Sequence, residues 1–168
     1  MAQANIILTG FMGTGKSTIG RALAQRLGLT FVDTDQLIEE RSGCPIADIF
    51  ARQGEAAFRR MEAELAQELA RQPDLVIATG GGFFTNPENV TVLQSGGQII
   101  CLTATAEEIL ERVKKQQHIR PLLQDPNPLQ RINKLLRERE AVYRQFPQVS
   151  TDGQTTGQVV DNILTLLT

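Results

Sequence analysis

A glycine-rich stretch near the N-terminus has the residue types needed to hold a chain of phosphates. Residues 10–17 read GFMGTGKS and match the pattern G-x-x-x-x-G-K-[ST]. Glycines let such a loop turn its backbone N–H groups inward, a lysine can reach the β- and γ-phosphates, and a serine hydroxyl can bind Mg²⁺. The predicted nucleotide contacts here are Gly13, Thr14, Gly15, Lys16, Ser17 and Thr18. The stretch predicts nucleotide binding, but by itself it does not separate kinases from GTPases or other ATPases.

Two aspartates follow the next apolar run, and one residue separates them. In an extended strand Asp33 and Asp35 would share a face, at the carboxyl end where open α/β sheets bind ligands. We expect Asp33 to bind Mg²⁺, through water, and Asp35 to accept a hydrogen bond from an acceptor hydroxyl and orient it for in-line attack. The alternative is that one of them caps a helix starting at Gln36, and for Asp35 both roles are compatible.

Other features of the sequence favour a small-molecule kinase over a GTPase. There is no Asn-Lys-x-Asp stretch of the kind that reads guanine, and no apolar strand after Leu75 ends in an aspartate. The run at 75–79 leads into three glycines at 80–82 instead. Such glycines allow the backbone to approach a ligand without a side-chain clash.

Apolar runs of strand length alternate with segments of helical period, and these elements must position the residues above. Strands are predicted at 5–9, 30–32, 75–79, 98–103 and 148–151. Helices are predicted at 17–27, 36–41, from 45, at 55–71, 87–94, 105–115, 129–145 and 157–167. Alternation with short links predicts an α/β fold in three layers, a five-stranded parallel sheet with helices on both faces.

Length and composition indicate one ordinary globular domain. The chain has 168 residues, of which 41% are hydrophobic and 21% charged, and its net charge is −2. This balance gives no overall attraction to nucleic acid or to anionic membranes. We expect a cytoplasmic protein, since no signal-like or membrane-spanning stretch is seen and nothing suggests that Cys44 and Cys101 form a disulfide. We also expect a monomer.

The motifs together resemble the shikimate kinases, which are P-loop enzymes similar to the nucleoside-monophosphate kinases. They occur in family order from near residue 5 to near residue 165, so the resemblance covers almost the whole chain. The matching segments are GFMGTGKST at 10–18, DTD at 33–35, GE with FRRME at 54–62, ATGGG at 78–82, RPLL at 120–123 and RxxxY at 139–143.

This resemblance implies a fold, a reaction and a set of site residues. It implies a P-loop NTPase-type sheet of order 2-3-1-4-5, ATP and Mg²⁺, and phosphorylation of the 3-hydroxyl of shikimate in aromatic amino-acid (chorismate) biosynthesis. It assigns the acceptor contacts to Asp35, Arg59, Gly81, Gly82 and Arg139, the ATP-side lid contact to Arg120, and the adenine contacts to Arg112 and Gln154. The chain would be a single kinase domain, 1–168, with substrate-binding helices at about 36–72 and a lid at about 114–128.

The residue types agree with these assignments. Arg59 and Arg139 come from distant predicted helices, and planar guanidinium groups suit one acceptor carboxylate. Glu62 is expected to orient Arg59 or to lie on the pocket rim. In the predicted mechanism Lys16 and Arg120 stabilise charge on the transferring phosphoryl group, while Asp35 holds the acceptor oxygen.

Two other readings stay open from the sequence. The first is another small-metabolite kinase of the same fold, such as a gluconate kinase, which would need the same kinds of residue. The second is a non-catalytic nucleotide-binding module that regulates a partner. Against the second stands the presence together of Lys16, Ser17, Asp33, Asp35 and Arg120.

Overall fold

A computed structural model describes residues 3–116 and 124–168 of the chain. These residues form a five-stranded sheet in which all neighbouring strands are parallel. The strands are β1 (Asn5–Thr9), β2 (Thr30–Asp33), β3 (Leu75–Ala78), β4 (Gly97–Thr103) and β5 (Gln148–Ser150). Their spatial order is β2-β3-β1-β4-β5, which confirms the predicted order.

Helices cover both faces of this sheet. They are α1 (Lys16–Leu27), α2 (Thr34–Ser42), α3 (Ile46–Gln53), α4 (Glu55–Leu69), α5 (Pro87–Gly96), α6 (Ala106–Lys114), α7 (Pro128–Tyr143) and α8 (Thr156–Leu167), with a 3₁₀ turn at Phe83–Thr85. In the part of the chain that the structure describes, no helix is both long and apolar enough to span a membrane.

The strands alternate their side chains between two apolar cores. In β1, Ile6 and Leu8 pack with α1 and α8 on one face, whereas Ile7 packs with α4 to α7 on the other. In β4, Ile100 and Cys101 are likewise on opposite faces. Both faces of the strands are therefore apolar, as a parallel sheet between helices requires.

Helix ends follow the local chemistry of the sequence. Gly28 ends α1 in the left-handed conformation, with φ of 69°, which a glycine adopts without a side-chain penalty. Thr105 accepts from the backbone N–H of Glu108 at 3.3 Å and caps α6. A full capping box that was not predicted, Thr155 with Gln158, begins α8.

The expectation that Asp33 and Asp35 share a strand face is wrong. Strand β2 ends at Asp33, and α2 begins at Thr34 rather than at Gln36. The Asp33 carboxylate accepts from the backbone N–H of Gln36 at 3.1 Å, so Asp33 is the N-cap of α2. Asp35 consequently lies in the first turn of that helix, where a carboxylate is favoured by the helix dipole.

The buried side chain of Asn5 ties the start of β1 to the connection between α4 and β3. Its amide nitrogen donates to the carbonyls of Leu69 at 3.3 Å and Gln72 at 2.7 Å. Its oxygen accepts from the backbone N–H of Leu75 at 3.0 Å. One side chain thus satisfies three backbone groups where α4 ends and β3 begins.

Candidate active site

The glycine-rich loop lies at the carboxyl edge of the sheet, between β1 and α1. The loop has positive φ values at three glycines, 139° at Gly10, 76° at Gly13 and 92° at Gly15. Residues that carry a Cβ rarely adopt such values. The ammonium of Lys16 donates to the carbonyls of Gly10 at 2.8 Å and Phe11 at 2.9 Å. The loop therefore curls around its lysine, and the N-terminus of α1 points at the enclosed space.

Ser17 and Asp33, which were predicted from separate motifs to hold the metal, are in contact. The Ser17 hydroxyl donates to the Asp33 carboxylate at 2.6 Å. A hydroxyl and a carboxylate oxygen are hard ligands, and Mg²⁺ takes few of these from protein because it keeps waters and binds phosphates. The donor set fits Mg²⁺ held beside the loop. No group of three or more His, Cys, Asp or Glu suited to a metal occurs among residues 3–116 and 124–168.

A cavity of about 440 Å³ joins this loop to the start of α2 and to the turn after β3. Lys16, Ser17, Asp33 and Asp35 line it together with Gly80 and Gly81. The elements that the sequence analysis named separately thus share one cleft, at the edge where parallel sheets bind ligands.

Each glycine of the run at 80–82 lies against a different predicted acceptor residue. A Cβ placed on Gly80 would overlap the Asp35 carboxylate. A Cβ on Gly81 would be 3.1 Å from Nη1 of Arg139, and one on Gly82 would be 2.7 Å from Nη2 of Arg59. The glycine strip therefore brings together Asp35, Arg139 and Arg59, which are supplied by α2, α7 and α4.

The environment of Asp35 favours proton exchange near neutral pH. Burial, and secondly the charge of Asp33, raise the pKa of Asp35 to about 6, although Lys16 and Arg59 pull it down. This carboxyl is ionised at neutral pH and still more basic than an ordinary aspartate. A group of this kind can accept the hydrogen bond of a hydroxyl and, with little cost, its proton.

Arg59 is held by the acidic residues of its own helix. Glu62 is only 1% exposed and accepts from Arg59 Nη1 at 2.5 Å, while Glu55 accepts from Nη2 at 3.3 Å. Burial raises the pKa of Glu62 to about 7, against the lowering effect of Arg59. Of the two places expected for Glu62, the structure shows the orienting contact with Arg59 and not the pocket rim.

Arg139 is placed differently, because no carboxylate of the described residues holds it. Its Nη1 is buried and has no hydrogen-bond partner among the described residues. The guanidinium lies over the ring of Phe11, 5.3 Å from the ring centre, so the glycine-rich loop itself supports it. A half-buried guanidinium with an unused buried donor beside Gly81 is suited to an anionic group of a ligand.

The two residues predicted to flank adenine lie at the far end of the loop. Arg112 donates from Nη1 to the Gly13 carbonyl at 3.1 Å and to Thr151 Oγ1 at 2.8 Å, and from Nη2 to the Thr151 carbonyl at 3.1 Å. Gln154 is half-buried and donates to the Ser150 carbonyl at 3.0 Å. Thr151 was not predicted, and only its place just after β5 at the ligand edge could have indicated it.

One predicted catalytic residue cannot be placed. Arg120 lies outside the described residues, as do the first three residues after it. The described helices on either side end at Lys114 and begin at Pro128.

The fold and the site define a P-loop nucleotide-binding protein whose cleft continues along a glycine strip flanked by one aspartate and two arginines. The family model described as Shikimate kinase matches residues 12–168. A shikimate kinase from Thermus thermophilus is 49% identical over 160 residues, which cover 95% of this chain and 87% of the relative. The chain belongs to the shikimate kinase family, which confirms the resemblance drawn from its motifs.

Solved structures agree with this assignment. A shikimate kinase from Acinetobacter baumannii in complex with shikimate superposes with a TM-score of 0.90 at 38% identity, covering 98% of this chain and 93% of that one. A gluconokinase from Sinorhizobium meliloti gives a TM-score of 0.62 at 19% identity, covering 96% of this chain and 90% of that one. The second comparison shows a shared fold alone.

Proposed function

We propose that this chain transfers the γ-phosphoryl group of ATP to the 3-hydroxyl of shikimate, in the biosynthesis of chorismate and the aromatic amino acids. The observation that carries the proposal is the glycine strip at 80–82, along which Asp35, Arg139 and Arg59 follow one another beside the phosphate loop. A carboxylate-bearing polyol needs this combination of one acidic partner for a hydroxyl and guanidinium donors for the carboxylate.

The nucleotide is assigned to the loop and to the Arg112 side of the cleft. Backbone N–H groups at 13–18 bind the phosphates, and Lys16 exchanges its contacts with loop carbonyls for the β- and γ-phosphates. Arg112 uses the edge of its guanidinium on Gly13 and Thr151, so its face is left for the adenine ring. Gln154 is assigned to the other side of the base.

Mg²⁺ is assigned to Ser17 directly and to Asp33 through water. Bound there with the nucleotide, it supplies positive charge beside the phosphates. The capping bond from Gln36 and the bond from Ser17 fix the Asp33 carboxylate, so the acidic partner of the metal is already oriented before the nucleotide arrives.

The acceptor is assigned to Asp35, Arg59, Gly81, Gly82 and Arg139. Its 3-hydroxyl donates to Asp35, and its carboxylate accepts from the two arginines. As the new bond forms between that oxygen and the γ-phosphorus, the bond to the β,γ-bridging oxygen breaks and ADP leaves. The hydroxyl proton passes to Asp35, whose raised pKa suits this role.

The remaining assignments concern the chain as a whole. Arg120 is assigned to the transferring phosphoryl group, on a lid at about 114–128 that closes over ATP and excludes water. The helices at about 36–72 are assigned to the acceptor side. We place the enzyme in the cytoplasm as a monomer of one kinase domain, 1–168.

A coupled ADP-release assay tests the proposal. With ATP and Mg²⁺ present, ADP should form rapidly on addition of shikimate and only slowly with gluconate or without an acceptor. A chain that binds ATP but releases no ADP with any acceptor would be a non-catalytic module. Faster release of ADP with gluconate than with shikimate would favour the alternative function, that of a gluconate kinase of the same fold.

A further inference from the structure

We propose that Tyr143 is a positioning residue for the site of the acceptor carboxylate. Its hydroxyl binds the Gly81 carbonyl and supports the guanidinium of Arg139. Tyr143 is the last residue of α7 and is 7% exposed. Its hydroxyl donates to the Gly81 carbonyl at 3.2 Å. The inference rests on the function proposed above, because it concerns the same acceptor site.

The position of Tyr143 on α7 explains how one hydroxyl can act on two groups. Arg139 precedes it by four residues, so both side chains project from the same face of the helix. Burial raises the pKa of the Tyr143 phenol, and the nearby Arg139 guanidinium opposes this rise. Arg139 Nη1 is in turn close to Gly81, at 3.1 Å from the place of an added Cβ. Tyr143, Arg139 and Gly81 therefore form a closed triangle.

This triangle matters because Arg139 has few other restraints. Its Nη1 lacks a hydrogen-bond partner among the described residues, and its other close contact is the face of Phe11. Arg59, by contrast, is fixed by Glu55 and Glu62. A carboxylate would neutralise the donors of Arg139, so the neutral hydroxyl of Tyr143 can orient this guanidinium without competing for its charge.

The test is Tyr143→Phe, which keeps the buried ring and removes only the hydroxyl. We expect the KM for shikimate to rise about tenfold, with kcat and the KM for ATP within about twofold of the wild type. An unchanged KM for shikimate would overturn the inference. A fall in kcat together with a rise in both KM values and a lower unfolding temperature would also overturn it, because that pattern indicates a merely structural role.

Two further variants sharpen this test. Thr165→Val is the matched control: it removes a hydroxyl that donates to the Asp161 carbonyl at 3.0 Å on α8, and should leave both KM values unchanged. In an Arg139→Ala background, Tyr143→Phe should cause no further loss in kcat/KM for shikimate. Independent, multiplicative losses would overturn the action through Arg139. If the wild type does not phosphorylate shikimate at all, the proposed function fails, and with it the premise.

A spectroscopic measurement avoids substitution altogether. The chain has one tyrosine and no tryptophan, so its tyrosine emission reports Tyr143 alone. Shikimate should change this emission saturably, with a midpoint near its dissociation constant from calorimetry. Inorganic tripolyphosphate, which occupies the phosphate loop without absorbing the excitation light, should cause a much smaller change. Emission that does not respond to bound shikimate would overturn the inference.

Discussion

Replacing Gly82 by alanine should separate acceptor binding from folding. Gly82 has φ of −101°, which alanine adopts without backbone strain. The added Cβ would lie 2.7 Å from Nη2 and 2.8 Å from Nη1 of Arg59. The obstacle is thus the end of a flexible side chain, which can move, and not a neighbouring backbone.

The size of the effect follows from this geometry. Relieving the contact from 2.7 Å to the ordinary 3.4 Å moves the guanidinium by about 0.7 Å, away from the glycine strip. Arg59 is bound to the buried Glu62 at 2.5 Å, so it cannot simply swing back. Losing one charge-assisted hydrogen bond costs about 1.5–3 kcal/mol, which predicts a rise in the KM for shikimate of about 10- to 100-fold.

Initial rates at varied shikimate and saturating ATP measure this change, and thermal unfolding measures the fold. Gly157→Ala is the matched control, because Gly157 lies in α8 with its nearest neighbour, Thr155 Oγ1, at 4.0 Å. That variant should keep wild-type kinetics and gain up to about 1 kcal/mol in helix stability. If Gly82→Ala leaves the KM for shikimate unchanged, Arg59 is not an acceptor contact and the reasoning is refuted.

Three other predictions follow from the site. Asp35→Asn should lower kcat by about 10²- to 10⁴-fold while calorimetry shows unchanged ADP binding; near-normal turnover would contradict its role. Protonated Asp35 cannot accept the proton of the acceptor hydroxyl, and its pKa is raised to about 6, so kcat/KM for shikimate should fall as the pH drops below 6. The Glu62→Gln variant should keep this fall in its pH profile. A wild-type profile that stays flat down to pH 5 argues against the role of Asp35. Arg112→Lys loses the forked contact to Gly13 and Thr151 and should raise the KM for ATP, not for shikimate, about tenfold. Equal rises in both KM values would count against that assignment.

Much of this architecture could be predicted because its signals are local. The glycine-rich loop, the cap at Thr105 and the stop at Gly28 each depend on a few neighbouring residues. The junction at Asp33 shows the limit of this approach. Its side chain can continue a strand face or cap a helix, and the sequence does not decide which; the carboxylate bonds to Gln36 and Ser17 do.

Contacts that depend on tertiary approach were beyond the sequence. The glycines at 80–82 were predicted to allow close approach of a ligand, yet the structure shows protein side chains against each of them. The hydrogen bond between Arg112 and Thr151 joins residues 39 apart in the sequence, and the bond between Tyr143 and Gly81 joins residues 62 apart. No periodicity or spacing reports such a pair, because each partner has an ordinary local environment.

The bonds of Asn5 have a consequence for how the enzyme would lose activity on heating. β1 leads into the phosphate loop, and α4 carries Arg59, so the Asn5 hydrogen bonds join the two elements that support the two halves of the cleft, at their ends remote from the ligands. Unfolding of either β1 or α4 therefore removes hydrogen-bond partners from the other. Amide hydrogen exchange at the start of β1 and in the last turn of α4 should consequently proceed at matching rates, as in one cooperative unit. On heating, neither ligand should remain bound after the other has been released.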